Sequence, residues 1–246
     1  MFHHQPVFTQ YSVSLSGLPQ QFCGFSIALL SDIHGQIAPR LLGQLQKSQP
    51  ELIAITGDLV DSRSRQSADA LAFLREAAAI APCFFVPGNH ESRLPEYPEL
   101  AKAMGRLGIT VLEDRAVPVF RNGGKILVLG IADPGFPGGM ERVECALRKM
   151  CRYDGFRLLL AHRPEHFPMY SGLGADLTLS GHAHGGQVRL PGIGGLFAPG
   201  QGFFPKWDGG VYALGESKMV VSRGLSSCPP FRLGNPTELV KITLAR

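Results

Sequence analysis

Polar residues that can bind metal ions occur in five short motifs along the 246-residue chain. They offer carboxylate, imidazole and amide oxygen donors, and each motif follows an apolar run. The motifs are Asp32-Ile33-His34, Gly57-Asp58-Leu59-Val60-Asp61, Gly88-Asn89-His90-Glu91, Ala161-His162-Arg163 and Gly181-His182-Ala183-His184-Gly185-Gly186. Because no thiolate is included, the donor set suits manganese, iron, cobalt or zinc rather than a closed structural zinc site. The sequence therefore predicts metal-dependent chemistry.

The spacing within the motifs indicates how ions could be held. Residues i and i+2 of an extended chain face the same way, so we expect Asp32 and His34 to hold one ion together. The same holds for His182 and His184. Three glycines permit tight turns and close approach of the backbone to a metal: Gly57, Gly88 and Gly181. One such motif alone is typical of a turn, but five in order favour a metal site.

The elements that precede the motifs must bring them together. Each motif follows an apolar run that predicts a buried strand: Ser26–Leu30, Leu52–Thr56, Cys83–Val86, Leu158–Leu160 and Leu177–Leu179. Helical patterns cover Ala38–Ser48, Ser67–Ile80 with Ser67 as a candidate N-cap, Glu96–Leu107 and Glu141–Cys151. Ligands bind beyond the carboxyl ends of strands in α/β sheets, so we expect the five motifs to converge on one point.

The remaining chain is richer in strands than in helices. Further strands are predicted at Thr110–Leu112, Val117–Phe120, Ile126–Leu129, Met219–Ser222 and Glu238–Leu244, with a hairpin turn at Asn122-Gly123-Gly124. This order predicts an α/β layered sandwich with some antiparallel pairing, in a single domain spanning residues 1–246. The Gly- and Pro-rich segment 191–210 is expected to form a long functional or mobile loop.

The five motifs, in order from Asp32 to His184, resemble those of the calcineurin-like metallophosphoesterase family over at least residues 31–187. The resemblance implies a sandwich of two mixed β-sheets flanked by helices, and two divalent metal ions, with manganese favoured over iron, zinc and cobalt. The residues implied to bind the first ion are Asp32, His34 and His184. Those implied to bind the second are Asn89, His162 and His182, with Asp58 bridging both ions. His90 is implied to act as an acid or a transition-state stabiliser.

Two further features of the chain bear on the resemblance: a departure from the family motif and a likeness to one branch. Relatives usually carry aspartate at the position of Glu91, and this difference affects the expected positioning of His90. The tail, from Ser222-Arg223-Gly224 to Glu238-Leu239-Val240, resembles a bacterial branch related to cell-envelope phosphodiesterases. That branch implies a phosphodiester or pyrophosphate-type bond, carried on a lipid-linked or envelope precursor such as one of the UDP-diacylglucosamine type.

The expected reaction is hydrolysis of an anionic phosphoester. Two divalent ions outweigh the charge of two carboxylates and one bridging hydroxide, and they lower the pKa of the bridging water that attacks phosphorus. His90 then protonates the leaving oxygen or stabilises developing charge. The alternatives are a nucleotide or nucleic-acid phosphodiesterase and a non-catalytic scaffold of the same fold. A strong basic cluster would favour the first and degenerate ligands the second, and the sequence has neither.

The bulk properties of the chain bear on its location and partners. A net charge of +4 and a pI near 8.9 suit an anionic substrate or membrane surface, but they are too small to indicate nucleic acid. The five cysteines include no CxxC pair, and the N-terminus lacks the pattern of a signal peptide. We therefore expect a cytoplasmic protein, with peripheral contact to the inner face of the membrane as a further expectation. No oligomeric state follows from the sequence.

Several other residues could serve the site or be incidental. Asp61 could orient a ligand histidine or cap a helix, and His166 could line the pocket or lie in solvent. His3 and His4 lie in a terminus that is expected to fray. Three arginines could bind a substrate phosphate or lie in solvent: Arg163, Arg223 and Arg232. The 191–210 loop carries aromatic residues that could face lipid or pack the loop onto the domain: Phe197, Phe203, Phe204 and Trp207, beside Lys206.

Overall fold

The computed structural model describes residues 5–38, 40–63, 67–226 and 232–246. Across these ranges twelve strands form two six-stranded sheets, and four two-residue strands form two small ladders. The strands, in chain order, are β1 (Val7–Ser14), β2 (Ser26–Leu30), β3 (Leu52–Thr56), β4 (Cys83–Val86), β5 (Thr110–Val111), β6 (Arg115–Arg121), β7 (Gly124–Gly130), β8 (Arg157–Leu160), β9 (Leu177–Ser180), β10 (Arg189–Leu190), β11 (Gly194–Gly195), β12 (Phe197–Ala198), β13 (Gly202–Phe203), β14 (Gly210–Leu214), β15 (Ser217–Val221) and β16 (Glu238–Ala245).

The helices flank the two large sheets. They are α1 (Leu41–Ser48), α2 (Ser67–Ala78), α3 (Tyr97–Arg106), α4 (Gly139–Met150) and α5 (Phe167–Gly172). Short 3₁₀ segments cover Gln20–Phe22, Glu91–Arg93, Pro164–His166 and His184–Gly186. None of the helices in the described ranges is both long and apolar enough to span a membrane.

The first sheet has the strand order β1-β16-β2-β3-β4-β5. Strands β2 to β5 run parallel, with Ile27 opposite Leu52 and Ile53 opposite Cys83. Strand β16 lies antiparallel to β2 and parallel to β1. Because β2, β3 and β4 are parallel neighbours, the motifs that follow them emerge at one edge of this sheet.

The second sheet has the order β14-β15-β9-β8-β7-β6. Its four central strands run parallel, with Leu158 opposite Leu177, and its two edge strands pair antiparallel to their neighbours. The motifs that follow β8 and β9 therefore also emerge together, at one edge of the second sheet.

The central strands are apolar along their whole length because both of their faces are covered. In β2, Ile27 and Leu29 lie in the core between the two sheets, whereas Ala28 and Leu30 pack with the helices. The opposite outer layer is formed by α4, whose Leu147 packs with residues of the second sheet. The predicted sandwich of two mixed sheets flanked by helices is thus confirmed.

Most predicted elements are confirmed within a few residues, including the hairpin turn between β6 and β7. Helix α1 begins at Leu41 rather than at Ala38, and Ser67 is the first residue of α2 rather than its N-cap. The sequence patterns missed β1, β14 and α5. The 191–210 segment carries short two-residue ladders rather than an unstructured loop. The single domain over residues 1–246 stays a prediction.

Candidate metal centre

The ends of five strands deliver the predicted ligands to one place between the sheets. Asp32 and Asp58 come two residues after β2 and β3, and Asn89 comes three residues after β4. From the second sheet, His162 and His182 come two residues after β8 and β9. Both sheets therefore contribute ligand atoms, and the site lies where their edges meet.

One triad consists of Asp32, His34 and His184, whose ligand atoms lie within 4.8 Å of one another. All three side chains are buried, and His184 Nε2 lies 3.6 Å from Asp32 Oδ1. Neither ring nitrogen of His34 has a hydrogen-bond partner within the described ranges. Buried polar atoms are normally paired, so these two nitrogens indicate a ligand position.

A second triad consists of Asp58, His162 and His182. His162 Nδ1 lies 2.7 Å from the Thr56 carbonyl oxygen, so this nitrogen carries the proton and Nε2 is left to bind a metal. Around that Nε2 lie Asn89 Oδ1 and His182 Nδ1, each at 3.1 Å. The amide oxygen and two ring nitrogens are thus directed at one point.

Asp58 lies between the two triads. Its Oδ2 atom is 3.3 Å from His162 Nε2 and 3.8 Å from His34 Nε2. Its Oδ1 atom accepts a hydrogen bond of 2.9 Å from the His90 backbone N–H. One carboxylate oxygen therefore faces ligands of both triads, as a bridging ligand must.

His182 and His184 belong to different triads, so the expectation that they hold one ion together is wrong. That expectation assumed an extended backbone, whereas φ is 65° at His182 and 47° at His184. The rule that residues i and i+2 face the same way holds for extended backbone and so does not apply to this pair. Asp32, His34 and Asp58 also have positive φ values, between 49° and 53°. Strained backbone of this kind gathers at functional sites, where the surrounding structure holds it.

The ring of His90 is oriented by the loop that follows Asp58. The Ser62 backbone N–H donates to His90 Nδ1 at 3.2 Å, which leaves the proton of the neutral ring on Nε2 by this hydrogen-bond assignment. Nε2 lies 4.0 Å from Asp58 Oδ2 and so points into the centre. Asp61 Oδ1 lies 3.4 Å from Nδ1, which places Asp61 beside His90.

Burial sets the charge of three histidines of the centre. It lowers the pKa of His34 to about 4 and that of His184 to about 3, and it holds the pKa of His182 well below its usual range. These rings are neutral at pH 7, as metal ligands must be.

The pair formed by Asp58 and His162 behaves differently. Burial opposes the charge on each, but their mutual attraction outweighs it. The pKa of His162 is raised to about 10, and that of Asp58 is held well below its usual range. In the metal-free protein at pH 7, His162 therefore carries a second proton, on Nε2. A metal ion that binds Nε2 must displace this proton.

Two glycines allow the loops to meet in this crowded space. A Cβ atom at Gly181 would lie 1.7 Å from Ser31 Oγ and 2.5 Å from Asp32 Oδ2. At Gly88 it would lie 2.3 Å from Asp58 Oδ1. No side chain fits at these distances, so both positions require glycine, and the predicted close approach of this backbone to a metal stays a prediction.

Glu91 ties two ligand loops together rather than positioning the ring of His90. Its side chain is buried and accepts hydrogen bonds from three backbone N–H groups: Gly88 at 2.7 Å, Asp58 at 2.8 Å and Val60 at 3.2 Å. Burial, followed by the nearby charge of Asp58, raises the pKa of Glu91 to about 7. No sequence pattern signals this role, since it depends on contacts across 33 residues.

The other candidate residues have structural partners. Arg163 forms a 2.7 Å ion pair with Asp133, and Arg223 forms one of 2.6 Å with Glu238. Arg232 reaches the centre, with one guanidinium nitrogen 3.3 Å from His184 Nδ1. The ring of His166 is half-buried beside Tyr170. His3 and His4 lie outside the described residues.

The segment 189–210, which consists of β10 and the 191–210 loop, lies directly against this centre. The Leu196 backbone N–H donates to the carbonyl oxygen of Gly186, two residues after His184. Trp207 packs against Phe167, with Lys206 Nζ 4.8 Å from the centre of the indole ring. In contrast, three apolar side chains are largely exposed: Phe203 (77%), Phe204 (67%) and Ile193 (61%). The loop is thus packed on one side and leaves an apolar surface on the other.

Comparison with known proteins gives one family. The profile of the calcineurin-like phosphoesterase family matches residues 25–186. Phosphodiesterase YaeI of Escherichia coli K12 is 30% identical over 89% of this chain and 82% of its own. Uncharacterized metallophosphoesterase YkuE of Bacillus subtilis 168 is 27% identical over 96% of this chain and 84% of its own. The crystal structure of TT1561 from Thermus thermophilus superposes with a TM-score of 0.58 at 17% identity, covering 82% of this chain and 91% of that one.

Proposed function

The chain belongs to the calcineurin-like phosphoesterase family of metal-dependent phosphoric ester hydrolases, and we propose that it cleaves a phosphodiester or pyrophosphate-type bond with two divalent metal ions. The observation that carries this proposal is the pair of buried triads with Asp58 between them: Asp58 belongs to the second triad, and its Oδ2 lies 3.8 Å from His34 Nε2 of the first. Within the described ranges both ring nitrogens of His34 in the first triad lack a partner, and in the second triad Asn89 Oδ1 and His182 Nδ1 converge on His162 Nε2, so each triad marks its own ion position.

The donor atoms fit two such ions. The first would be held by Asp32, His34 and His184, and the second by Asn89, His162 and His182, with Asp58 reaching both. The imidazole, carboxylate and amide oxygen donors, with no thiolate, suit manganese, iron, cobalt or zinc, and the family resemblance makes manganese the favoured ion. When bound, the ions would supply Lewis-acid chemistry: a water of lowered pKa as nucleophile, and positive charge for the phosphate oxygens.

The charge of the loaded site and the orientation of its side chains both suit an anionic phosphoester. The four positive charges of two divalent ions exceed the negative charges of Asp32 and Asp58, so an anionic phosphoester is attracted. His90 directs its Nε2–H into the centre and is placed to protonate the leaving oxygen. Rigid loop positions, fixed by the buried Glu91, keep these groups in place before substrate arrives.

We expect hydrolysis of bis-p-nitrophenyl phosphate by chelator-stripped protein only after Mn²⁺ is added. His182→Ala removes one ligand of the second ion, so this variant should lack the metal-stimulated turnover. Release of p-nitrophenol and metal content are measured on the same samples. Absence of turnover in wild-type protein that carries two ions per chain would contradict the phosphodiesterase proposal and favour a monoesterase or a scaffold.

His90→Ala tests the acid role. The variant should lose about 10²- to 10⁴-fold in kcat on an alkyl phosphodiester, whose leaving group needs a proton. The loss should be much smaller with p-nitrophenyl substrates, because p-nitrophenolate leaves without protonation. Steady-state kinetics on both substrates make each variant its own control. Full turnover on the alkyl diester would show that His90 donates no proton.

We further propose that the substrate carries an apolar part, or lies at a lipid surface, as for a lipid-linked envelope precursor. The observation in favour is the exposed apolar surface of Ile193, Phe203 and Phe204, on the loop that packs against the His184 turn. Lys206 in the same loop adds a positive charge that suits anionic head groups.

The double variant Phe203→Ser/Phe204→Ser should bind anionic liposomes at least about 100-fold more weakly. Two phenyl rings that become buried in the bilayer on binding contribute about 3 kcal/mol or more. Sedimentation with phosphatidylglycerol vesicles gives the bound fraction. Phe120→Ser is the matched control, since Phe120 is 70% exposed on edge strand β6 of the second sheet. Wild-type protein that stays in the supernatant would exclude the lipid-surface part of the proposal.

A further inference from the structure

A buried carboxylate lies behind the ligand histidine of the second triad. Glu165 Oε1 is 4.0 Å from His182 Nε2, and the side chains are only 12% and 6% exposed. Within the described ranges, neither His182 Nε2 nor Glu165 Oε2 has a hydrogen-bond partner. Two polar atoms that both lack partners in one buried space indicate an interaction that forms in another state of the site.

The orientation of the His182 ring gives these atoms a role. Its Nδ1 faces the centre, 3.1 Å from His162 Nε2, while its Nε2 points away from the centre towards Glu165. A neutral imidazole that binds a metal through Nδ1 carries its proton on Nε2. That N–H then needs an acceptor, and a carboxylate in this position both fixes the ring and makes it a stronger ligand.

Glu165 is itself held from two sides. Arg163 Nη1 lies 3.6 Å from Glu165 Oε1, and Arg163 is fixed by two hydrogen bonds, of 2.7 and 3.2 Å, to the fully buried carboxylate of Asp133. On the other side, a Cβ atom at Gly200 would lie 2.1 Å from Glu165 Oε1. The backbone of the 189–210 segment therefore covers Glu165 and keeps it next to His182.

We propose that Glu165 is a positioning residue for the second metal ion, accepting the Nε2–H hydrogen bond of His182 when Nδ1 is the ligand. The 4.0 Å between His182 Nε2 and Glu165 Oε1 must shorten by roughly 1 Å for this hydrogen bond to form. This inference rests on the proposed dinuclear function. The ion pair of Arg163 with Asp133 sets the place of Glu165, whose Oε1 lies 3.6 Å from Arg163 Nη1 and 4.0 Å from His182 Nε2.

The test is equilibrium metal binding, which needs no substrate. Metal-free protein is titrated with Mn²⁺ by calorimetry, for wild type, Glu165→Ala and Glu165→Gln. Glu165→Ala should weaken one of the two sites by about 10- to 100-fold and leave the other unchanged. Glu165→Gln keeps an acceptor but loses the charge, so its affinity should lie between those of Glu165→Ala and wild type. Glu76→Ala, on the exposed face of α2, is the control and should bind as wild type.

The melting temperature of each metal-free variant separates positioning from a structural role. We expect unchanged metal-free melting temperatures and a smaller increase on adding Mn²⁺ for the Glu165 variants. If Glu165→Ala bound Mn²⁺ at both sites with wild-type affinity, the inference would be overturned. A metal-free melting temperature lowered enough to account for the loss of binding would overturn it as well. A wild-type protein that binds no second ion would instead contradict the proposed function itself.

Discussion

Asp58→Asn is expected to lower kcat on a phosphodiester by at least about 10³-fold, equivalent to about 4 kcal/mol of barrier. The change removes one negative charge at the point where both triads meet, because Asp58 Oδ2 lies 3.8 Å from His34 Nε2 and 3.3 Å from His162 Nε2. Asparagine can still accept the His90 backbone N–H at Oδ1, so the fold should persist. The effect therefore reports the bridging carboxylate rather than a collapsed site.

Metal content and kcat are measured together for this variant. We expect fewer than two ions per chain, in a protein that is still folded without metal but melts at a lower temperature, because the attraction between Asp58 and His162 is lost. Asp69→Asn, on the exposed first turn of α2, is the matched control and should keep both ions and full turnover. If Asp58→Asn kept two tightly bound ions and wild-type kcat, Asp58 would not bridge them.

Glu91→Ala is expected to destabilise the protein by about 3 kcal/mol or more, because it leaves three buried N–H groups without an acceptor at about 1–3 kcal/mol each. For a chain of this length that lowers the melting temperature by roughly 6 °C or more. Turnover should fall as well, since the loops that carry Asp58 and Asn89 lose their shared anchor.

Thermal unfolding of the metal-free protein measures this effect without any contribution from bound ions. Glu76→Ala again serves as a control, because this glutamate is exposed on α2. Glu91→Gln should be intermediate, since its amide oxygen can accept some of the three hydrogen bonds but its NH₂ group faces donors. An unchanged melting temperature in Glu91→Ala would show that water replaces the carboxylate at no cost.

The candidate ligands could be predicted from sequence because their signal is local. A buried strand such as β2 or β3 is a run of apolar residues, and the polar residue that ends it is visible beside it. Parallel strands then place those ends together, as seen for Asp32 and Asp58. Order along the chain was enough to predict that these residues converge, whereas their assignment to two ions came from the resemblance to the family.

What the sequence could not predict depends on contacts between distant segments or on backbone geometry. Strand β1 was missed because it is an edge strand, where Val7 and Phe8 are exposed and polar residues alternate along the chain. The separation of His182 from His184 depends on left-handed backbone that no residue pattern marks. Glu165 faces His182 only because the 3₁₀ turn after β8 lies next to the loop after β9.

The position of β16 between β1 and β2 bears on how the protein is made. A ribosome releases β1 long before β16, yet within the described chain these two strands are neighbours, with Val7 opposite Glu238. Until β16 emerges, β1 and the outer edge of β2 offer unpaired backbone groups of the kind that recruit chaperones or join other chains. Completion of the first sheet is therefore a late step of biosynthesis, and the Asp32 end of β2 should gain its final rigidity only then.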